Sequence, residues 1–277
     1  MANNSSAGLS RYWRGREHLW LDAFVAFNFL CLTGDIVLAH SENQFRNSAE
    51  YIPIGASPFA FLLVLAALAH RVKNPNSRIS TVLGHLAGWL AILVGIAGLI
   101  YHLDSSFFAE RTLRSLTYAA PFAAPLSYVG LGCVLLMNRM VPSHSLEWSQ
   151  WVVFFAMGGF AGNFVLSLTD HAVNGFYRPS EWIPVVSSAL AVGFLFAQLI
   201  FPQDRGFVRL CVAALLLQVI VGGAGFVLHF FADLRGPAAS LYQNVIHGAP
   251  PFAPLLLPNL SLLGFIGILT MPSADSA

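Results

Sequence analysis

Histidine and glutamate residues recur at matching places in the two halves of this chain, and their side chains can bind metals. Each half has two histidines at the ends of apolar stretches and one glutamate at the start of the next stretch: His40, His102 and Glu50 in the first half, and His171, His229 and Glu181 in the second. Imidazole and carboxylate groups bind zinc, iron and copper, and two imidazoles can hold a haem iron from opposite sides. These six residues are therefore candidate ligands for a transition metal ion or a haem in a redox site.

The two kinds of site need different geometries. Atoms that bind a bare metal ion must approach it to about 2.0–2.2 Å, so the imidazoles of such a site lie within a few ångströms of each other. A haem instead needs imidazoles that face each other across a gap wide enough for the macrocycle. The sequence leaves both kinds of site open, and also leaves open which metal would bind.

Four other polar residues could support such a site or extend a proton path from it: Asn43, Asn174, Asp35 and Asp170. The two asparagines occupy matching positions three residues after a candidate histidine, whereas neither aspartate has an aspartate at its matching position. Ionisable groups at membrane depth are uncommon and often mark functional sites. We therefore treat these four as supporting residues and not as ligands.

A structural role would also explain the repeated residues. A glutamate at a helix start is favoured by the positive end of the helix dipole, and a histidine at a helix end can cap carbonyl groups. His40 could also pair with Glu50 across the loop that separates them. The occurrence of two histidines in each half favours a ligand role more than any single histidine does, and both explanations stay open.

An internal repeat connects the two halves. With an ungapped offset of 131 residues, HSENQFRNSAEYIP at 40–53 matches HAVNGFYRPSEWIP at 171–184, with six identities in fourteen positions. With an offset of 127, GIAGLIYH at 95–102 matches GGAGFVLH at 222–229. A third match pairs Pro-Phe-Ala at 121–123 with Pro-Phe-Ala at 251–253. Lipid-facing sequence does not readily produce the same His, Asn, Glu and Pro at corresponding helix ends, so this pattern indicates a duplication.

The composition predicts an all-α integral membrane protein. Of 277 residues, 56% are hydrophobic and only 10% are charged, against about a quarter charged in soluble domains. Eight apolar stretches have spanning length: 20–40, 52–70, 81–102, 117–138, 150–170, 182–201, 207–229 and 250–271. We expect two four-helix repeats, 20–138 and 150–271, joined by a linker at 139–149 and flanked by polar segments at 1–19 and 272–277. An even number of spans per repeat gives both the same orientation, with a pseudo-twofold axis along the membrane normal.

The distribution of basic residues predicts cytoplasmic termini. Nine lysines and arginines fall on the side of the N-terminus and five on the other side. By the positive-inside rule, the termini are cytoplasmic, and the four repeated histidines lie at the external face of a cell inner membrane. The net charge of +1 and the lack of basic runs argue against nucleic acid as a partner.

The sequence leaves three classes of function open and does not establish whether the protein is an enzyme. It has no HExxH, GxSxG or glycine-rich phosphate loop. In outline, two four-helix halves with a histidine pair in each are similar to haem A synthase, although the Glu-then-His-Arg loop signature of that enzyme is absent and no residue role is transferred. The first class is a redox protein with haem or metal at its external face. The second is a structural or assembly subunit of a larger membrane complex, and the third is a transporter or channel.

Overall fold

The structure is a computed structural model that describes residues 15–105, 110–118, 120–201 and 204–271. All regular secondary structure in these ranges is helical. Ten α-helices follow one another along the chain: α1 Glu17–Glu42, α2 Tyr51–Lys73, α3 Arg78–Ser105, α4 Leu113–Tyr118, α5 Leu126–Met140, α6 Leu146–Val173, α7 Trp182–Ile200, α8 Arg205–Leu234, α9 Leu241–His247 and α10 Leu256–Leu269. Three short 3-10 helices precede α2, α7 and α10: Ser48–Glu50, Pro179–Glu181 and Ala253–Leu255.

Six helical segments in the described ranges are long and apolar enough to cross a membrane: Glu17–Glu42, Ser48–Lys73, Arg78–Ser105, Leu146–Val173, Pro179–Ile200 and Gly206–Leu234. Each corresponds to one of the apolar stretches predicted from the sequence. A helix in lipid satisfies its backbone hydrogen bonds internally, so long apolar helices are suited to this environment. The protein is therefore an all-helical chain with six candidate membrane spans.

The other two predicted spans, 117–138 and 250–271, contain shorter helices. α5 has 15 residues and α10 has 14, which at 1.5 Å per residue is roughly 21–22 Å, against about 30 Å for a bilayer core. Both start late because prolines precede them: Pro125 is the N-cap of α5, and Pro254 lies in the 3-10 turn before α10. Proline has no backbone N–H to donate, so it is favoured at a helix start, where that N–H would have no partner in the helix. The prediction of eight spans therefore stays a prediction.

Small residues bring the helices of each half close together. A Cβ atom added at Gly88 of α3 would lie 3.1 Å from the Gly132 carbonyl oxygen of α5, so these two backbones touch directly. In α8, a Cβ at Gly222 would lie 3.1 Å from the Leu257 side chain of α10. Helices in a membrane associate through van der Waals packing of this kind, because lipid provides no hydrophobic driving force between them.

The order of elements in α1–α5 recurs in α6–α10. Among the described residues, each set has a long helix, a 3-10 turn, two further long helices, a short helix and a shorter apolar helix. The second set also has the 3-10 helix Ala253–Leu255 before α10. The contacts between the sets are reciprocal, since α4 packs on α6 and α9 packs on α1. Phe29 of α1 and Phe160 of α6, which the offset of 131 pairs, are both fully buried. The connection between α5 and α6 covers 141–145, which is shorter than the predicted linker at 139–149.

Candidate functional site

The first histidine pair is brought together by the C-terminal ends of α1 and α3. His40 lies in the last turn of α1 and His102 in the last turn of α3. Their ring centres are 6.4 Å apart and their ring planes are nearly perpendicular, at 81°. Both side chains are half-buried. Two imidazoles separated by 62 positions in sequence thus meet at one end of the first helix set.

The second pair has almost the same geometry. His171, at the end of α6, and His229, near the end of α8, have ring centres 6.5 Å apart at an interplanar angle of 62°. These residues are also half-buried. The structure therefore joins the four predicted histidines into two pairs, each with one member from the first helix of a set and one from the third.

Backbone carbonyl groups hold three of the four imidazoles through their Nδ1 atoms. His102 Nδ1 lies 3.0 Å from the Pro121 carbonyl oxygen, and His229 Nδ1 lies 2.9 Å from the Pro250 carbonyl oxygen. His171 Nδ1 lies 2.7 Å from the Ser167 carbonyl oxygen of its own helix. A carbonyl only accepts, so Nδ1 must donate, and the lone pair of each ring is then on Nε2. Metal-binding histidines commonly have this arrangement, because the second nitrogen is fixed by a carbonyl or carboxylate.

These proline contacts differ by one residue from the pairing in the sequence match. The sequence match pairs Pro121 with Pro251. In the structure, the Pro121 carbonyl holds His102 and the Pro250 carbonyl holds His229. Pro250 lies one residue before Pro251. The proline-rich sequence 250–254 allows either alignment, and only the contact with the histidine distinguishes them.

Glu50 lies near the first pair but does not contact it through a hydrogen bond that the structure shows. Its Oε1 accepts hydrogen bonds from Asn43 Nδ2 at 3.1 Å and from the Asn47 backbone N–H at 3.2 Å. Its Oε2 is buried and, among the described residues, has no partner. The carboxylate interacts electrostatically with both His40 and His102. Glu50 therefore combines a helix-start role with a buried oxygen that faces the surroundings of the histidine pair.

The second half reproduces only part of this arrangement. Glu181 also has a buried Oε2 without a partner in the described structure, and it ends the 3-10 turn before α7 as Glu50 ends the one before α2. Asn174, which matches Asn43, is the exposed C-cap residue of α6. Asn43 ties the loop to the glutamate through its bond to Glu50, and the supporting role of both asparagines stays a prediction.

Two phenylalanines of the repeated motif pack beside the histidines, a contact that the sequence analysis did not foresee. The Phe45 ring centre lies 6.2 Å from that of His40, and Phe176 lies 6.2 Å from His171. Each phenylalanine also stacks on the aromatic residue that opens the next helix, Tyr51 at 5.0 Å and Trp182 at 3.9 Å. The sequence signal for this contact was the phenylalanine that both motifs share, because it follows the histidine at the same spacing in each.

The two loops share an unusual backbone conformation. Phe45 has φ of 53° and Phe176 has φ of 52°, in the left-handed region that non-glycine residues seldom adopt. The residues before them, Gln44 and Gly175, also have positive φ. Two consecutive left-handed residues turn the chain sharply after the helix, and this turn directs each phenylalanine back toward its histidine.

The described residues do not form a three-ligand metal site. Within the ranges that the structure covers, no group of three or more His, Cys, Asp or Glu residues is placed to hold a metal ion. Asp35 and Asp170 are exposed on their helices, so neither is drawn into a histidine pair. The geometry of the candidate site is therefore that of paired imidazoles with a carboxylate nearby.

A buried cluster of charged residues occupies the opposite end of the first helix set. Asp22 of α1 is fully buried and pairs with Arg139 at 2.7 Å and Arg71 at 3.2 Å. Asn138 Nδ2 donates to the same carboxylate at 2.8 Å, and Trp148 Nε1 donates to Asn138 Oδ1 at 3.1 Å. The cluster links α1, α2, α5 and α6.

Arg71 and Arg139 are two of the nine basic residues on the side of the N-terminus. In the structure their guanidinium groups are largely buried against Asp22. The signal that could have found this cluster was Asp22 itself, because a carboxylate within an apolar helix needs a partner.

Comparison of the chain with protein families, with curated proteins and with solved structures finds no match.

Proposed function

We propose that this chain is a membrane-embedded haem protein in which each histidine pair holds one haem. The observation that carries this proposal is the spacing of the rings. With metal–nitrogen bonds of about 2.0 Å and roughly 1.2 Å from each ring nitrogen to its ring centre, two axial imidazoles of one iron have centres about 6.4 Å apart. The two pairs have 6.4 and 6.5 Å.

The ligand set favours haem over a bare metal ion. A protein site for zinc usually supplies three or four ligand atoms, and the described residues bring together two histidines in each pair without a third ligand. A haem supplies four nitrogen ligands of its own, so two imidazoles complete its coordination. The bonds from Nδ1 to carbonyl groups support this assignment, because they orient His102, His171 and His229 and leave Nε2 to face an iron.

The chemistry that a haem would supply at such a site is electron transfer. The two histidines of a pair would both hold the iron and would leave it no open position for oxygen or a substrate. The residues around each pair would then adjust the reduction potential through burial and charge. Glu50 interacts electrostatically with His40 and His102, and Asp233 interacts with His229. The protein would act as an electron carrier or as the haem subunit of an oxidoreductase.

We also propose the finer architecture of two parallel four-helix repeats, with eight spans and a pseudo-twofold axis along the membrane normal. The recurring order of elements supports it, as does the equal spacing of the two histidine pairs. A further matched contact supports it: a Cβ at Gly98 would touch Pro125, and a Cβ at Gly225 would touch Pro254. In this arrangement α5 and α10 are the fourth and eighth spans, each extended by its proline turn. The positive-inside rule supports cytoplasmic termini in an inner membrane.

Haem content measured on the purified protein tests the function. We expect a reduced-minus-oxidised spectrum with haem bands, and two haems per chain by pyridine haemochrome assay. His229→Ala should remove one of the two, since one axial ligand is lost. His85→Ala is the matched control, because His85 is half-buried in α3 and its Nδ1 lies 2.8 Å from the Thr81 carbonyl oxygen, as His171 bonds to its own helix. Equal haem content in His229→Ala and the wild type would refute the assignment.

A structural or assembly subunit is the second candidate, and one observation favours it. The bond from His171 to its own helix is the same local cap that His85 makes, so a histidine at this position can serve helix stability alone. Under this proposal His229→Ala lowers stability and leaves the spectrum unchanged, and other membrane subunits copurify with the protein. The transporter class has less support, because the proline clusters lie before α5 and α10 or, as Pro258 does, in the first turn of α10, and no proline lies in the middle of either helix.

A further inference from the structure

A cavity of about 280 Å³ lies beside the C-terminal end of α8, next to the second histidine pair but separate from it. Small apolar residues form much of its wall, among them Ala232, Pro237, Ala238 and Ala249, and Asp233 also lines it. We propose that this cavity binds the ring of a membrane-soluble phenol or hydroquinone, whose hydroxyl group donates a hydrogen bond to Asp233. This site goes beyond the proposed haem function and does not depend on it.

The Asp233 carboxylate has one oxygen that receives no hydrogen bond from the described residues. The residue is 2% exposed. Its Oδ1 accepts a hydrogen bond from the Ala249 backbone N–H at 3.1 Å, whereas its Oδ2 is buried and has no partner in the described part of the chain. A buried acceptor left without a donor is unfavourable, because it has lost its hydrogen bonds to water. A ligand hydroxyl at this carboxylate would remove that cost.

The structure around the cavity is held in place by its own hydrogen bonds. The Asn244 carboxamide accepts from the Ala238 backbone N–H at 3.0 Å, which ties α9 to the loop after α8. A Cβ atom added at Gly248 would lie 2.5 Å from Asp233 Oδ1, so only glycine leaves room for the carboxylate there. The hydrogen bond and this close contact therefore fix the shape of the cavity wall.

The surroundings of the cavity favour a ligand that arrives through the bilayer. Phe231 and Leu234 flank the cavity residues of α8, and Leu241 and Tyr242 lie beside those of α9. All four side chains are exposed, and aromatic and aliphatic groups at a helix end are suited to the membrane interface. An ammonium group would have to lose its hydration to enter from lipid, whereas a neutral hydroxyl group has a much smaller cost. A phenolic donor therefore fits better than an amine.

The volume limits the ligand to a single ring. Pockets for drug-sized ligands have about 300–1,000 Å³, and this cavity lies just below that range. His247 and Gln243 add polar groups to its lining, and both are exposed, so a second ring oxygen could interact there. A ring with two oxygens in para positions has donors at both ends, which is the arrangement in a hydroquinone.

The position of the cavity relates it to His229. Asp233 follows His229 by one turn of α8, and Ala249 precedes the proline whose carbonyl holds that histidine. A bound ring would thus lie next to the residues that position His229. Asp233 also interacts electrostatically with His229. The two sites remain separable by experiment, because haem content and ligand binding are measured independently.

Calorimetric titration of the detergent-solubilised full chain with a decyl-tailed dimethoxy-methyl hydroquinone tests the proposal, with heats from empty micelles subtracted. We expect saturable binding of one equivalent. Asp233→Asn should weaken binding roughly tenfold, because a neutral amide accepts a weaker hydrogen bond than a carboxylate. Ala232→Phe should abolish binding by filling the cavity, and it should fold because Ala232 is exposed on α8. Asp170→Asn is the matched control, since this exposed carboxylate lies outside the cavity, and its affinity should equal that of the wild type.

Absence of saturable binding, or equal affinity in the wild type, Asp233→Asn and Ala232→Phe, would overturn the proposal. Saturable binding of decylammonium that depends on Asp233, with no binding of the hydroquinone, would overturn the class of ligand. Haem content is measured on the same samples. Hydroquinone binding by protein without haem would support the cavity site and refute the haem assignment. Absence of hydroquinone binding by protein that contains haem would refute the cavity site and leave the haem assignment in place.

Discussion

The substitution Asp22→Ala should destabilise the folded protein by about 3–5 kcal/mol, because it leaves buried arginines without their counter-charge. Asp22 is fully buried, and the side chain of Arg139 is only 2% exposed. The same carboxylate also binds Arg71 at 3.2 Å and Asn138 at 2.8 Å. All three partners lose this carboxylate in the variant, while Arg71 and Asn138 keep their bonds to backbone carbonyl groups.

The contacts of Asp22 set the size of this effect. Hydrogen bonds between membrane helices contribute on average about 0.6 kcal/mol, so three of them amount to roughly 2 kcal/mol. An uncompensated buried charge adds a desolvation cost of several kcal/mol, which places the total above the hydrogen-bond value alone. The stability of Asp22→Asn should lie between that of the wild type and that of Asp22→Ala, because asparagine keeps the size of the side chain and loses only the charge.

Unfolding of the detergent-solubilised variants measures this effect through the loss of helical circular dichroism with temperature or denaturant. The double variant Asp22→Ala/Arg139→Met provides the control, because it removes both charges of the shorter ion pair. It should recover part of the lost stability, since the apolar methionine needs no counter-charge. A loss below about 1 kcal/mol for Asp22→Ala, or a double variant less stable than the single one, would refute the buried ion-pair reasoning.

Two further predictions concern the contact between the halves and the topology. Asn28 and Asn259 exchange side-chain hydrogen bonds of 3.2 and 2.6 Å between α1 and α10, so a double-mutant cycle to alanine should give a coupling of about 0.6–1.7 kcal/mol; a coupling of zero would show that this contact does not join the halves. A cysteine at Ser48 should react with an impermeant thiol reagent in intact cells and one at Ala2 only after permeabilisation, because the basic loops predict cytoplasmic termini. Labelling of the Ala2 variant from outside would reverse the topology.

The residues of the candidate site could be predicted from the sequence, but the distances between them could not. The four histidines were found because the repeat keeps histidine at the same helix ends, and a repeat is visible without knowledge of packing. The distance between His40 and His102 depends on how α1 and α3 cross, and these helices contribute residues 62 positions apart. The sequence therefore left a bare metal ion and a haem equally open, whereas the ring spacing favours haem.

In the proline-rich segments, the local sequence sets where the helices begin, and tertiary contacts decide which carbonyl group holds each histidine. The sequence predicted spans at 117–138 and 250–271 from hydropathy, and prolines shortened the α-helices there to α5 and α10. The identity of the carbonyl that holds each histidine, that of Pro121 or Pro250, emerged only from the fold. A run of prolines offers several equivalent carbonyls, and the position of the neighbouring helix selects one.

The sequence by itself determined the all-helical class, six long apolar helices and the recurrence of His, Asn, Phe and Glu in two loops. Hydropathy, helix length and motif spacing are properties of short stretches of chain, so they are encoded locally. Only the tertiary structure decided that Asp22 pairs with two arginines, that the histidines form two pairs, and that Asp233 lines a cavity. Each of these depends on which faces of distant helices pack together, and that choice is made by close packing of glycines and buried polar groups over the whole bundle.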